Sequence, residues 1–100
     1  MPTYIELLKF TDKGIRNVKR TTERAEAFKA VVAEHLGVTV KDIYWTMGPY
    51  DLVAIMEGPD DETQAAIGLG WSALGNVRAQ TVRAFNADEM KAVLDKIPDQ

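Results

Sequence analysis

The apolar run Leu52–Met56 is the feature that most constrains the fold of this chain. All five residues are apolar, which is typical of a strand buried on both faces of a sheet. The segment Thr3–Phe10 alternates but also carries apolar residues on both faces, so it predicts a second strand of this kind. A chain of 100 residues forms a single domain, over residues 1–100, with one modest core. We therefore expect both strands in the centre of one sheet.

The remaining segments alternate between helical and extended patterns. They predict helices over Thr22–Leu36 and Asp60–Leu74, strands over Val40–Met47 and Val77–Phe85, and a short helix from Asn86 to about Lys96. The segment Thr11–Gly14 predicts a turn. Gly68 and Gly70 each cost the second helix about 1 kcal/mol against alanine. We expect a close approach of another backbone to offset that cost.

This order of elements predicts an α+β, ferredoxin-like βαββαβ fold with a four-stranded antiparallel sheet. Right-handed crossovers place both long helices on one face of the sheet, and the short C-terminal helix follows. The other face then needs a cover, which predicts a homodimer or a higher homo-oligomer. A C-terminal segment folded across that face is the alternative. Ala65 and Leu69 point outward on the second helix, which favours a higher assembly through it.

Composition excludes several classes of function. The net charge is −3, so no basic excess is present to bind phosphates, and we expect no nucleic-acid partner. Cysteine is absent and His35 is the single histidine, so we expect no thiol chemistry, no metal and no cofactor. No apolar run approaches the roughly 18 residues of a membrane span, and the N-terminus lacks a signal core. We therefore expect a cytoplasmic protein without a membrane partner.

Several stretches of the sequence resemble the GYD-domain family. The glycine, tyrosine and aspartate of that name correspond to Gly48, Tyr50 and Asp51. The similar segments are Thr11–Gly14, Tyr44–Asp51, Glu57–Glu62 and Leu74–Phe85, and the resemblance spans about Tyr4 to Phe85. It implies a small homo-oligomeric protein of the dimeric α/β-barrel type, in which two ferredoxin-like sheets face each other. The resemblance implies no particular reaction.

A ligand site, if present, is expected between the helix-free sheet face and its cover, where two twisted sheets part towards their edges. The predicted ligand-binding residues are Tyr44, Thr46, Tyr50, Asp51, Thr81 and Arg83. Arg83 is the strongest candidate of the six because a cation among apolar neighbours needs a carboxylate, a carbonyl or an anionic ligand. The opposite strand parity would select Trp45 and Arg78, and the sequence leaves both choices open.

Each candidate residue also has a structural interpretation. Asp51 could hold the turn between the second and third strands, and Tyr50 could pack over a neighbouring subunit. Arg83 could form an ion pair with Glu6, Glu57 or an acidic residue of a partner. His35 could be a helix-end histidine in contact with the helix dipole.

The absence of a recognisable nucleophile, metal set or phosphate loop favours an oligomeric module that binds a small molecule or a protein partner without classical catalytic machinery. The alternative is a small α/β-barrel enzyme of the monooxygenase or isomerase type, acting in a pocket between the sheets. Tyr44, Arg83 or His35 would then handle protons. A purely architectural, self-assembling subunit is a third interpretation.

Overall fold

The computed structural model describes residues 1–99, and its four strands form one antiparallel sheet in the order β2-β3-β1-β4. The elements are β1 (Thr3–Phe10), α1 (Asp12–Arg16), a 3₁₀ helix (Val18–Arg20), α2 (Thr21–Leu36), β2 (Thr39–Trp45), β3 (Leu52–Glu57), α3 (Asp61–Ala73), β4 (Val77–Ala84) and α4 (Ala87–Leu94). The strand order confirms the predicted ferredoxin-like arrangement. The two strands with apolar residues on both faces, β1 and β3, form the central pair.

Burial alternates along the central strands, because successive side chains point to opposite faces of a sheet. Tyr4 and Leu8 of β1 and Leu52, Ala54 and Met56 of β3 are buried beneath the helices. The intervening residues on the other side are only half-buried. We call this other side the open face, and its apolar centre consists of Ile5, Leu7, Val53, Ile55 and Val82.

The core lies between the helices and the covered face of the sheet. Phe28 of α2 and Trp71 of α3 stack with ring centroids 3.7 Å apart, and they join the two helices above the sheet. Val32 and Ile67 lie in the same buried cluster. The helix α2 ends as predicted at Gly37, whose φ of 65° suits a left-handed C-cap.

Close packing explains one of the two glycines inside α3. A Cβ at Gly68 would lie 2.7 Å from the hydroxyl oxygen of Thr81 and 3.1 Å from a carboxylate oxygen of Glu6. The nearest atoms at Gly68 therefore belong to side chains, and the expected approach of another backbone is not what the structure shows there. At Gly70 the expectation is also wrong, because beyond the adjacent residues and the backbone of α3 itself no atom of the described chain lies within 4 Å of an added Cβ.

The short helix α1 replaces the turn predicted over Thr11–Gly14. The Thr11 hydroxyl accepts a hydrogen bond from the Gly14 amide and donates one, 2.5 Å long, to the carbonyl of Gly75. A Cβ at Gly14 would lie 1.9 Å from the carbonyl oxygen of Asn76. Helix α1 can therefore pack against the loop that contains Asn76 only because position 14 is glycine. The prediction of a turn was wrong because threonine and aspartate favour both turns and helix N-caps.

The C-terminal residues 85–97, which we call the C-terminal arm, project from the domain. Within α4 only Glu89 is half-buried, and every other residue is exposed. The longest dimension of the molecule is 54 Å. The radius of gyration of 15.2 Å exceeds the roughly 13 Å of a compact chain of this length. The alternative in which the C-terminal segment folds across the open face of its own sheet is therefore not the arrangement seen.

Candidate functional site

The open face combines an apolar centre with a cationic corner. Lys9 of β1 and Arg78 of β4 are direct cross-strand partners, and both are exposed. Among residues 1–99, neither side chain forms an ion pair. Like charges placed opposite each other on a strand pair are unfavourable. The corner thus presents two cations that the described chain does not neutralise.

Tyr50 lies at the rim of the open face. Its hydroxyl donates a hydrogen bond of 3.0 Å to the side-chain oxygen of Gln80, which lies on that face of β4. The ammonium nitrogen of Lys9 is 5.5 Å from the centre of the Tyr50 ring. Tyr44 also lies on the open face, with 56% of its surface exposed. Two of the six predicted ligand-binding residues therefore lie on or beside this surface.

Thr46 and Asp51 belong to the loop between β2 and β3. The Thr46 hydroxyl donates to the carbonyl of Tyr50 at 2.7 Å, and the Thr46 amide donates to the carbonyl of Asp51 at 2.9 Å. The Asp51 carboxylate accepts a hydrogen bond of 2.8 Å from the amide of Phe10. These bonds close the loop and fasten it to the end of β1, in agreement with the structural interpretation of Asp51.

Thr81 and Arg83 do not share a face with Tyr44. Thr81 is the register partner of Glu6, and Arg83 is the partner of Tyr4, so both lie on the helix-covered side of β4. Grouping them with Tyr44 on one face is therefore wrong, because the pairing of β4 with β1 turns them towards the helices.

The alternative pair of site residues, Trp45 and Arg78, is also split between the two sides of the sheet. Arg78 lies on the open face. Trp45 points to the helices, since its indole nitrogen donates a hydrogen bond of 3.0 Å to the hydroxyl of Thr21 in α2. Neither predicted set of site residues is assembled on one side of the sheet.

Arg83 fastens the start of the C-terminal arm. Its guanidinium lies 4.6 Å from the centre of the Phe85 ring and 5.6 Å from that of the Tyr4 ring. One guanidinium nitrogen is 3.7 Å from a carboxylate oxygen of Glu89. Another donates to the carbonyls of Thr3 and Ala84. The predicted structural ion pair is thus present, but its partner is Glu89 instead of Glu6 or Glu57.

Glu6 is a buried carboxyl group that the sequence reasoning did not single out. It is fully buried under α3, and it accepts a hydrogen bond from the Thr81 hydroxyl, 2.7 Å from Oε2. Burial raises the pKa of Glu6, and hydrogen bonds from Thr81 and Gln64 lower it in part. The alternation of β1, which places Glu6 on the same side as Tyr4 and Leu8, was the signal that could have identified it.

The remaining candidates give no further site. His35 is exposed in the last turn of α2, where the helix dipole favours a cation. Within residues 1–99 no cluster of three or more histidine or acidic side chains has the arrangement to hold a metal ion. None of the helices described has both the length and the apolarity to span a bilayer.

Comparison with known proteins identifies the family. The sequence matches the GYD domain family over residues 4–94. The chain belongs to this family. A relative from Thermus thermophilus is called "Glutamine synthetase and cystathionine beta-lyase binding protein". It is 32% identical to this chain over 94 residues, which are 94% of this chain and 99% of the relative.

A solved structure supports the same fold. The crystal structure of TTHA0845 from Thermus thermophilus has a TM-score of 0.53 and 29% sequence identity to this GYD domain. The match covers 87% of this chain and 96% of the other.

Proposed function

We propose that this GYD domain is a homo-oligomeric module that binds an enzyme of the kind named for its Thermus relative, glutamine synthetase or cystathionine beta-lyase. The observation that carries the proposal is that the small chain exposes two separate apolar surfaces, the open face and the C-terminal arm. One surface serves self-association and the other serves the partner. The relative's printed name supplies the class of partner. A cytoplasmic location belongs to the proposal.

The open face has the size needed for self-association. Four strands spaced about 4.8 Å apart, with up to eight residues each rising about 3.3 Å, give a surface of roughly 500 Å². Two such faces bury about 1,000 Å² together, which is the lower limit for a specific interface. The half-buried side chains of Ile5, Leu7, Val53, Ile55 and Val82 supply the apolar centre of this contact.

The C-terminal arm has the pattern of a helix that binds in a groove of a partner. Met90, Val93 and Leu94 recur at the spacing i, i+3 and i+4 in α4, Ile97 follows at i+7 beyond the end of the helix, and all four are exposed. A helix of eight residues is too short to be stable in water without tertiary contacts. The capping box between Asn86 and Glu89 stabilises its start but leaves the apolar stripe without a partner in the described chain.

The enzymatic alternative gains little support from the arrangement of the candidate groups. Tyr44 is exposed on the open face, His35 lies at the outer end of α2, and Arg83 holds the arm. These three groups do not converge on one pocket. The buried carboxyl of Glu6 lies on the helix side of the sheet, away from any space between two facing sheets.

The proposal is tested by measuring the binding of the purified protein to immobilised glutamine synthetase and cystathionine beta-lyase from its own organism. We expect submicromolar to micromolar binding to at least one enzyme, and Leu94→Glu should weaken it at least tenfold, about 1.4 kcal/mol. The matched control is Ala92→Glu, which adds the same charge on the opposite side of α4 and should bind normally.

Measuring the oligomeric state of two variants distinguishes the role of the open face from the role of the C-terminal arm. Leu94→Glu should keep the oligomeric mass of the wild type in light scattering, whereas Ile55→Glu on the open face should yield single chains. If Leu94→Glu also dissociates the protein, the arm is a self-association contact and the assignment of the surfaces is wrong. If neither enzyme binds the wild type, the proposed partner is wrong.

A further inference from the structure

A cleft of about 260 Å³ opens between α2 and α3 on the helix side of the sheet, so it is distinct from the open face and from the arm. Its lining is largely apolar and aromatic. The side chains that matter for the argument are Phe10, Ala27, Phe28, Val31, Trp71 and Leu74. Val31 and Leu74 are more than half exposed and lie at the mouth of the cleft. A preformed apolar cleft with few polar groups is the usual form of a small-molecule site.

Arg24 supplies the polar group of this cleft. One terminal nitrogen of its guanidinium, Nη1, donates a hydrogen bond of 2.9 Å to the carbonyl of Asn17. The other, Nη2, is buried and has no hydrogen-bond partner within residues 1–99. Arg24 lines the cleft and forms no ion pair within residues 1–99, so an anion bound in the cleft would give this cation a partner of opposite charge. A guanidinium is the group best suited to hold a carboxylate.

We propose that this cleft binds a small aryl carboxylate, with the ring among the apolar lining and the carboxylate paired with the side chain of Arg24. The cleft is smaller than the roughly 300–1,000 Å³ of sites for drug-sized ligands, so one ring with a short acid chain suits it. The proposal is independent of the enzyme-binding function.

The test measures the binding of 3-phenylpropionate to the full-length protein by calorimetry and by tryptophan fluorescence, because Trp71 lines the cleft. The neutral alcohol 3-phenylpropanol, which has the same ring and chain, should bind at least about tenfold more weakly. Arg24→Met should lose the preference for the acid. The matched control is Arg20→Met, which removes an exposed arginine paired with Glu23 and should retain that preference.

A second pair of variants tests the place of binding even if Arg24→Met fails to fold. Ala27→Phe fills the cleft from an exposed position on α2 and should abolish binding. Ala30→Phe adds the same ring at an exposed position of α2 outside the cleft and should bind normally. Circular dichroism verifies the fold of each variant. Equal binding of acid and alcohol, no binding by the folded wild type at millimolar acid, or unchanged binding by Ala27→Phe would each overturn the proposal.

Discussion

The two glycines of α3 allow a direct test of how closely this helix approaches the sheet. Replacing glycine with alanine inside a helix stabilises it by about 0.8–1.0 kcal/mol. At Gly70 nothing opposes that gain, so Gly70→Ala should raise the free energy of unfolding by about 1 kcal/mol. At Gly68 the new methyl group would lie 2.7 Å from the Thr81 hydroxyl oxygen. Such overpacking costs about 1–3 kcal/mol, so Gly68→Ala should be less stable than Gly70→Ala by that amount.

Urea denaturation measures this difference. With a slope of about 1–2 kcal/mol per molar for a domain of this size, a difference of about 2 kcal/mol separates the two midpoints by about 1–2 M. Both variants must be measured at the same protomer concentration, because self-association shifts the apparent stability. Equal stabilisation by the two substitutions would refute the packing of α3 against Glu6 and Thr81.

Three further predictions concern other parts of the molecule. Burial raises the folded-state pKa of Glu6, so the contribution of this group to the free energy of unfolding is complete below the unfolded pKa of about 4.3 and is lost as the pH rises through the folded pKa. The urea midpoint should therefore fall less with rising pH in Glu6→Gln than in the wild type. Parallel curves of midpoint against pH for the two proteins would contradict this. Burial and the 2.5 Å hydrogen bond to Asp61 raise the pKa of Tyr4 to about 12. In an absorbance titration, Tyr4→Phe should therefore lack the tyrosinate step that the wild type shows near this pH, and coincident titration curves of the two proteins would count against it. Leu69→Glu on the outer side of α3 should reduce a higher assembly to dimers in light scattering, and an unchanged mass would exclude α3 from the contact.

Much of the fold follows from local patterns in the sequence. Strands β1 and β3 were predicted as the central pair because both faces of Thr3–Phe10 and Leu52–Met56 carry apolar residues, and only a central strand buries both. The bounds of α2 agree closely with the prediction because its apolar stripe ends at Leu36, directly before the strong C-cap Gly37. In these segments local preference and tertiary structure agree.

The candidate site was less predictable because it depends on long-range pairing. β4 is polar on both faces, so its sequence does not tell which of Thr81 and Arg78 faces the helices. That choice is made by its register with β1, in which Thr81 meets Glu6. The burial of Glu6 in turn requires Gly68 of α3, which is far away in the sequence. The projection of the C-terminal arm likewise depends on which surfaces are free, and a local pattern carries no such information.

Native mass spectrometry of an equimolar mixture of this protein with glutamine synthetase, and of a second mixture with cystathionine beta-lyase, tests the central proposal most directly. The proposal predicts that the protein alone gives a mass of at least twice the 11.1 kDa chain, and that one mixture gives a complex of the enzyme with this oligomer. Single chains of 11.1 kDa beside both free enzymes would contradict it.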